Sequence, residues 1–260
     1  MATPTTPEKP IEKAQQAAKA ATTSAPRRRY RTVIFQGTLI AITAAFTFLM
    51  LLAKSTPFFP IDLQITRGIQ LINIPAFATL MSIISWPGYP PQSFVIPVLL
   101  VAIIWGLGLR WEAVAALVAA ISSSGIDVLV KDYIRRPRPT ADLVHVFRIL
   151  NSYSFPSGHV VFYVVFFGFL MFLAFALLKI SSQRAAIIAV CSVLILLVGP
   201  SRIYVGEHWA SDVAGAYLLG ALILIANIAF YRWGKQRFFV AKAQPVPTNE
   251  APPPPKPTKT

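Results

Sequence analysis

Six stretches of this chain hold apolar residues in runs close to the thickness of a bilayer, and no other property limits its fold as much. They cover roughly 33–53, 93–109, 111–130, 160–178, 185–200 and 211–231. A helix needs about 20 apolar residues to cross the hydrocarbon core, where each backbone N–H and C=O must find its partner within the protein. The pattern therefore predicts an all-α, polytopic membrane protein with six transmembrane helices. Composition agrees: 55% of residues are hydrophobic and 13% charged, against about 25% charged in soluble domains. Spans two and three are separated only by "GLGLRWEA".

Between the first two spans, "IDLQITRGIQLINIPAF" has a helical rhythm and reads as an interfacial helix. "SWPGYPPQSF" then breaks it with prolines and places Trp and Tyr at headgroup level. The expected organisation is a disordered, basic cytoplasmic tail over 1–32, a six-span core over 33–231 and a basic, Pro-rich cytoplasmic tail over 232–260. A transit peptide is the alternative reading of the first 26 residues. Cys191 lies inside an apolar run and reads as a buried thiol.

The net charge of +14 does not indicate nucleic acid, because the basic residues are scattered between apolar runs. Membrane topology accounts for them better. With the N-terminus cytoplasmic, Arg27, Arg28, Arg29, Arg31, Arg110, Lys179, Arg184, Arg232, Lys235 and Arg237 fall inside, as the positive-inside rule favours. Two basic groups fall outside, "KDYIRRPRP" and "SRIYVGEH". Cations on the unfavoured side suggest an anion to bind.

The outward ends of spans three to six can bring separate polar patches to one depth. Lys131, Arg138 and Arg202 supply positive charge, and the two arginines offer forks suited to phosphate oxygens. In "NSYSFPSGH", Ser157 offers a hydroxyl and Gly158 opens the backbone amides at the start of span four. His208 and Asp212 stand four apart, one helical turn, so a carboxylate can fix the imidazole's tautomer and leave the other nitrogen as nucleophile or base. His159 remains for proton transfer. Such a set suffices for phosphoryl transfer without a cofactor, and Asp127, Asp132 and Glu207 are too dispersed to suggest a metal site.

The spacing is itself recognisable. "KDYIRRPRP", "PSGH" and "SRIYVGEHWASD" together resemble the three-part signature of the type 2 phosphatidic acid phosphatase superfamily, membrane lipid phosphate phosphatases related to vanadium haloperoxidases. The resemblance spans about residues 33–231. It implies that His208 forms a phosphohistidine, that Asp212 orients it, and that His159 protonates the leaving oxygen. It further implies that Lys131, Arg138, Ser157, Gly158 and Arg202 bind the substrate phosphate, with no cofactor and no metal.

Plainer readings stand beside these. Ser157 with Gly158 could be only a helix cap, and Asp127 pairs with Lys131 on one face of span three. Arg135 and Arg136 read as headgroup or turn charges, and His145 as a loop residue. Trp86, Tyr89, Trp105, Trp111 and Trp209 read as an interfacial belt. The leading expectation is a lipid phosphate or pyrophosphate phosphatase in a prokaryotic plasma membrane, its site facing outward and both termini cytoplasmic. Undecaprenyl pyrophosphate is the first expected substrate; phosphatidylglycerophosphate, phosphatidate and other lipid phosphates are alternatives. A phosphotransferase would use the same intermediate. An anion transporter or channel is the rival from another class, though spans one, two, four, five and six carry almost no ionisable groups. Expected partners are the lipid phosphate and bilayer lipids; the oligomeric state stays open.

Overall fold

Each expected apolar run is a helix in the computed structural model, which describes residues 10–239. Helix α1 is Pro10–Ser55, α5 Arg110–Ile134, α8 Ser182–Tyr204 and α9 Ala210–Gly234. The fourth run is α6 (Gly158–Phe162) and α7 (Gly168–Leu177), joined without a break by a π-helical turn at Tyr163–Phe167. Among the described residues five helices are long and apolar enough to cross a membrane, and no strand occurs.

The sixth crossing is built differently from its expectation. Helix α4 (Gln92–Gly106) has only 15 residues, short of a span by itself. It follows α3 (Pro75–Ser85) through a 3-10 turn at Trp86–Gly88, and the pair, bent by 64°, forms a broken span or a re-entrant loop. Pro75 also splits the expected interfacial helix, because a residue before proline avoids helical geometry. Its first half becomes α2 (Pro60–Gln70), which buries Asp62 and Thr66 and exposes Ile61 and Ile65. The first tail also differs: α1 is already helical at Pro10, and α9 continues into a π-helical turn at Lys235–Phe239. The rest of both expected tails lies outside the described residues.

Helix α9 is the hub, packed on α1, α5, α6, α8 and the π-helical turn. Helix α5 meets it with small side chains, burying Ala115, Ala116, Ala119 and Ser123, which lets two backbones approach where lipid supplies no hydrophobic drive between helices. Phenylalanines of α6 and the π-helical turn fill the centre, including Phe162, Phe166 and Phe167. Cys191 is buried and free. Exposed Ile34, Ile40, Phe48 and Leu51 give α1 an apolar outer face. At one end, Glu112 of α5 accepts from Lys235 Nζ at 2.5 Å and Tyr231 Oη at 3.0 Å.

The other end is fastened by charge. Arg136 was read above as a headgroup or turn residue, yet its side chain is fully buried. It donates to Asp212 Oδ1 at 2.5 Å and Asp62 Oδ2 at 3.1 Å, and to the carbonyls of Thr56 and Pro57. Asp62 also accepts from Ser211 N and Oγ at 2.8 and 2.7 Å. The network pins α2 and the end of α1 to the start of α9, and it explains a second basic residue in "RRPRP". Arg135 keeps the simpler role: exposed, it ends α5 in a left-handed conformation at φ 58°. Trp209, placed above in an interfacial belt, is buried and stacks on Phe58 with centroids 5.0 Å apart, while Trp86 and Trp105 are exposed as that belt requires. Asp62→Ala strips one of Arg136's two carboxylates and should destabilise the fold by about 3 kcal/mol, as breaking a buried ion pair does. A lower thermal midpoint in detergent than for Asp62→Asn is the expected measurement.

Candidate active site

Beneath this fastening, the ends of α5, α6, α8 and the α8–α9 turn converge. On the last turns of α5, Lys131 Nζ lies 2.6 and 2.7 Å from the two Asp127 oxygens and donates to Pro156 O at 2.6 Å. The plain expectation of an Asp127–Lys131 pair is thus met. Gly158 packs directly on that pair; a Cβ there would stand 2.8 Å from Asp127 Oδ2. Ser157 occupies the cap position of α6, yet its side chain makes no capping bond. Its buried Oγ has no partner, so a simple cap is not what the serine provides.

Arg138 reaches in from the loop after α5. Nε donates to Ser152 O at 2.7 Å and Nη1 to Glu207 O at 2.6 Å, leaving Nη1 3.1 Å from His208 Nε2. Arg202, at the end of α8, is wholly buried: Nη1 donates to Tyr89 Oη at 2.8 Å and Nη2 to the Glu207 carboxylate. Its Nε has no partner. Tyr89 in turn donates to Glu207 Oε1 at 2.6 Å, and its ring meets the His159 ring edge-on at 4.7 Å. Gly88 lies flat on His159, where a Cβ would collide with the imidazole. His159 Nε2 is the third buried polar atom without a partner.

His208 is held otherwise than its spacing predicts. Nδ1 lies 2.8 Å from Ser154 O but 3.8 Å from Asp212 Oδ2. Asp212 is already occupied: besides Arg136, it accepts from Ser154 Oγ at 2.5 Å and Trp209 N at 2.8 Å. The carboxylate thus orients the serine whose carbonyl holds the imidazole. A carbonyl only accepts, so Nδ1 carries the proton, and the Nε2 lone pair on the chamber side accepts from Arg138 Nη1.

That cavity, about 320 Å³, is lined at depth by Lys131, Arg138, Gly158, His159 and His208. Towards the outside it is lined by Ser93, Phe94, Ser124 and Val128, of which Phe94 and Val128 are largely exposed on α4 and α5. Of the expected residues, Lys131, Arg138, Gly158, His159 and His208 line this chamber, Ser157 directly precedes Gly158, Arg202 is joined to it through Tyr89, and Asp212 stands behind Ser154. Sequence reasoning missed Tyr89, Glu207, Ser152 and Ser154. Glu207 and Ser154 sit within the quoted motifs, where adjacency to His208 and Pro156 was available as a signal. Tyr89 had none beyond a Pro-rich turn, and was read as part of the interfacial belt.

Residues 112–238 match the family model described as PAP2 superfamily. Phosphatidylglycerophosphatase B of Bacillus subtilis (strain 168) is 30% identical over 173 residues, 62% of this chain and 79% of that protein. Undecaprenyl-diphosphatase of Sulfolobus acidocaldarius is 33% identical over 96 residues, 37% of each chain. Among solved structures, the transmembrane PAP2-type phosphatidylglycerolphosphate phosphatase from Bacillus subtilis superposes with a TM-score of 0.62 at 24% identity, over 73% of this chain and 96% of that one. This last likeness is one of fold.

Electrostatics keep the imidazole of His208 neutral. Burial pushes its pKa well below the ordinary histidine value, and Arg138, Arg202 and Lys131 push it further the same way. Burial likewise lowers Arg138 to about 10, with the nearby Arg202 adding to the effect. A depressed histidine pKa means the neutral form persists as pH falls. At about pH 6, where a free histidine is mostly protonated, His208 should remain neutral in ring-¹⁵N NMR of micellar protein. Arg138→Gln removes a repelling charge and should move the titration upward.

Proposed function

The chain belongs to the PAP2 superfamily, and we propose that this lipid phosphate hydrolase works through a phosphohistidine on His208 at the extracytoplasmic face. The observation that carries the reading is that His159, whose buried Nε2 has no partner among the described residues, lines one chamber with Lys131, Arg138, Gly158 and His208, while Ser157 Oγ next to Gly158 and Arg202 Nε are likewise buried without partners there. Unpaired buried donors and acceptors are costly. A tetrahedral oxyanion in the chamber supplies their partners and receives the positive charge around it.

The chain's own groups then divide the work. Nε2 of His208 forms the bond to phosphorus as the bond to the lipid oxygen breaks, and Ser154 O steadies the Nδ1 proton on the charged ring. His159 hands its proton to the leaving lipid oxygen, then takes one from the water that attacks the phosphohistidine. Free phosphate leaves and His208 is restored. Lys131, Arg138, Ser157, Arg202 and the amide of Gly158 hold the phosphoryl oxygens. The excess of cytoplasmic basic residues supports an outward site with both termini inside.

For the lipid, the relative matched over 79% of its length favours a phosphatidylglycerophosphate-type monoester. Undecaprenyl diphosphate, ranked first from sequence alone, becomes the second candidate, supported by the shorter match. Transfer to an acceptor hydroxyl instead of water would use the same first step.

His208→Ala should lower phosphate release from lipid phosphate in detergent by about a thousandfold or more, as loss of a covalent nucleophile does, with a thermal midpoint near wild type. Turnover within tenfold of wild type would overturn the assignment. His159→Ala should lose about a hundredfold on a lipid phosphate, the scale of general acid catalysis, and much less on an aryl phosphate whose leaving group needs no proton. Equal losses would remove the acid role. Phosphate release from both lipids by wild type ranks the substrates.

A further inference from the structure

Residue 207 touches both arginines of the chamber. Its carbonyl accepts from Arg138, and its carboxylate takes Arg202 and the Tyr89 hydroxyl, closing a buried triangle of Arg202, Tyr89 and Glu207. Two of the three guanidinium nitrogens of Arg202 are thereby fixed, and Nε alone is left without a partner among the described residues. The guanidinium carbon also lies 4.9 Å from the centre of the Tyr89 ring, so the phenol holds the fork on two sides. The same ring touches His159.

A carboxylate buried against a phosphate-binding arginine has two effects. It aims the fork, and it offsets part of the charge that attracts an oxyanion. Lys131 is similarly offset by Asp127, whereas Arg138 makes its bonds to carbonyls, the Ser152 hydroxyl and His208. An enzyme that forms free phosphate inside a buried, cationic chamber must also let it go. The most positive chamber would bind the product as strongly as the transition state, and such uniform binding does not raise turnover.

We propose that Glu207 and Tyr89 are positioning residues for Arg202, and that the Glu207 carboxylate weakens the chamber's hold on a free tetrahedral oxyanion so that phosphate is released. This rests on the chamber being the phosphate site described above.

The test measures inhibition by orthovanadate, an oxyanion of phosphate's shape, alongside kcat and KM on a lipid phosphate. Glu207→Gln keeps an acceptor for Tyr89 and removes the charge. It should tighten orthovanadate inhibition about tenfold, roughly the effect of 1.4 kcal/mol on a binding constant, and lower kcat with little rise in KM. Glu207→Asp, which retains the charge, should bring the inhibition constant back towards wild type. Tyr89→Phe keeps the charge but frees Nη1 of Arg202. It should cut kcat at least about fivefold, the scale of one lost hydrogen bond, while the orthovanadate constant stays within about twofold of wild type. A residue of merely structural importance would weaken inhibition and kcat together.

An orthovanadate constant in Glu207→Gln equal to or weaker than wild type overturns the charge-offset role. Unchanged kcat in Tyr89→Phe overturns the positioning role, and this variant decides the matter if Glu207→Gln does not fold. Failure of the underlying reading looks different: wild type would then release no phosphate from a lipid phosphate, or would not be inhibited by orthovanadate at all.

Discussion

Everything at the site end of this protein depends on how it buries positive charge. Arg136 and Arg202 have fully buried side chains, and Lys131 is nearly so. A lone charge in such a place is severely destabilising. The fold answers with a carboxylate for each: Asp62 and Asp212 on Arg136, Glu207 on Arg202, Asp127 on Lys131. These pairs do more than permit burial, because their partners come from different elements. Asp62 brings α2 to the start of α9, and Glu207 brings Tyr89 of the α3–α4 turn to the end of α8. The same contacts that make the cations tolerable therefore assemble the chamber.

Two functional layers follow from that arrangement. Lys131, Arg138, Gly158, His159 and His208 line the chamber proposed to hold a phosphoryl group. Behind them stand Ser154, Asp212, Arg136 and Asp62, a chain of hydrogen bonds running from the imidazole of His208 to helix α2. The rigidity of the proposed nucleophile is thus supplied partly by a helix that sequence reading treats as a mere surface element. The fold places these residues at the ends of spans, with Phe94 and Val128 exposed at the mouth of the chamber.

Legibility varied with how local each signal was. Helix positions were readable because bilayer thickness imposes a run length. The two departures in this region both involve proline: Pro75 divides the interfacial helix, and the prolines around Tyr89 bend α3 against α4. The motif residues were readable because catalysis prescribes residue type and spacing. Arg136, Tyr89 and Trp209 were misread since each has an ordinary surface role at a membrane boundary, and only burial tells the two apart. For Asp212, a spacing of four brought it within 3.8 Å of His208 Nδ1, although α9 begins only at Ala210 and the two share no helical face. It could not reveal that Ser154 would stand between them.

By itself the sequence determined where the apolar runs lie, the family and the set of polar groups that meet at one depth, since each follows from composition or spacing along the chain. Only the tertiary structure decided which carboxylate neutralises which cation, that the Ser154 carbonyl holds His208, and that Tyr89 and Glu207 share Arg202. Those pairings join residues up to 118 positions apart, as Tyr89 with Glu207. Electrostatic attraction and desolvation act through space, so no pattern along the chain encodes them until the helices have packed.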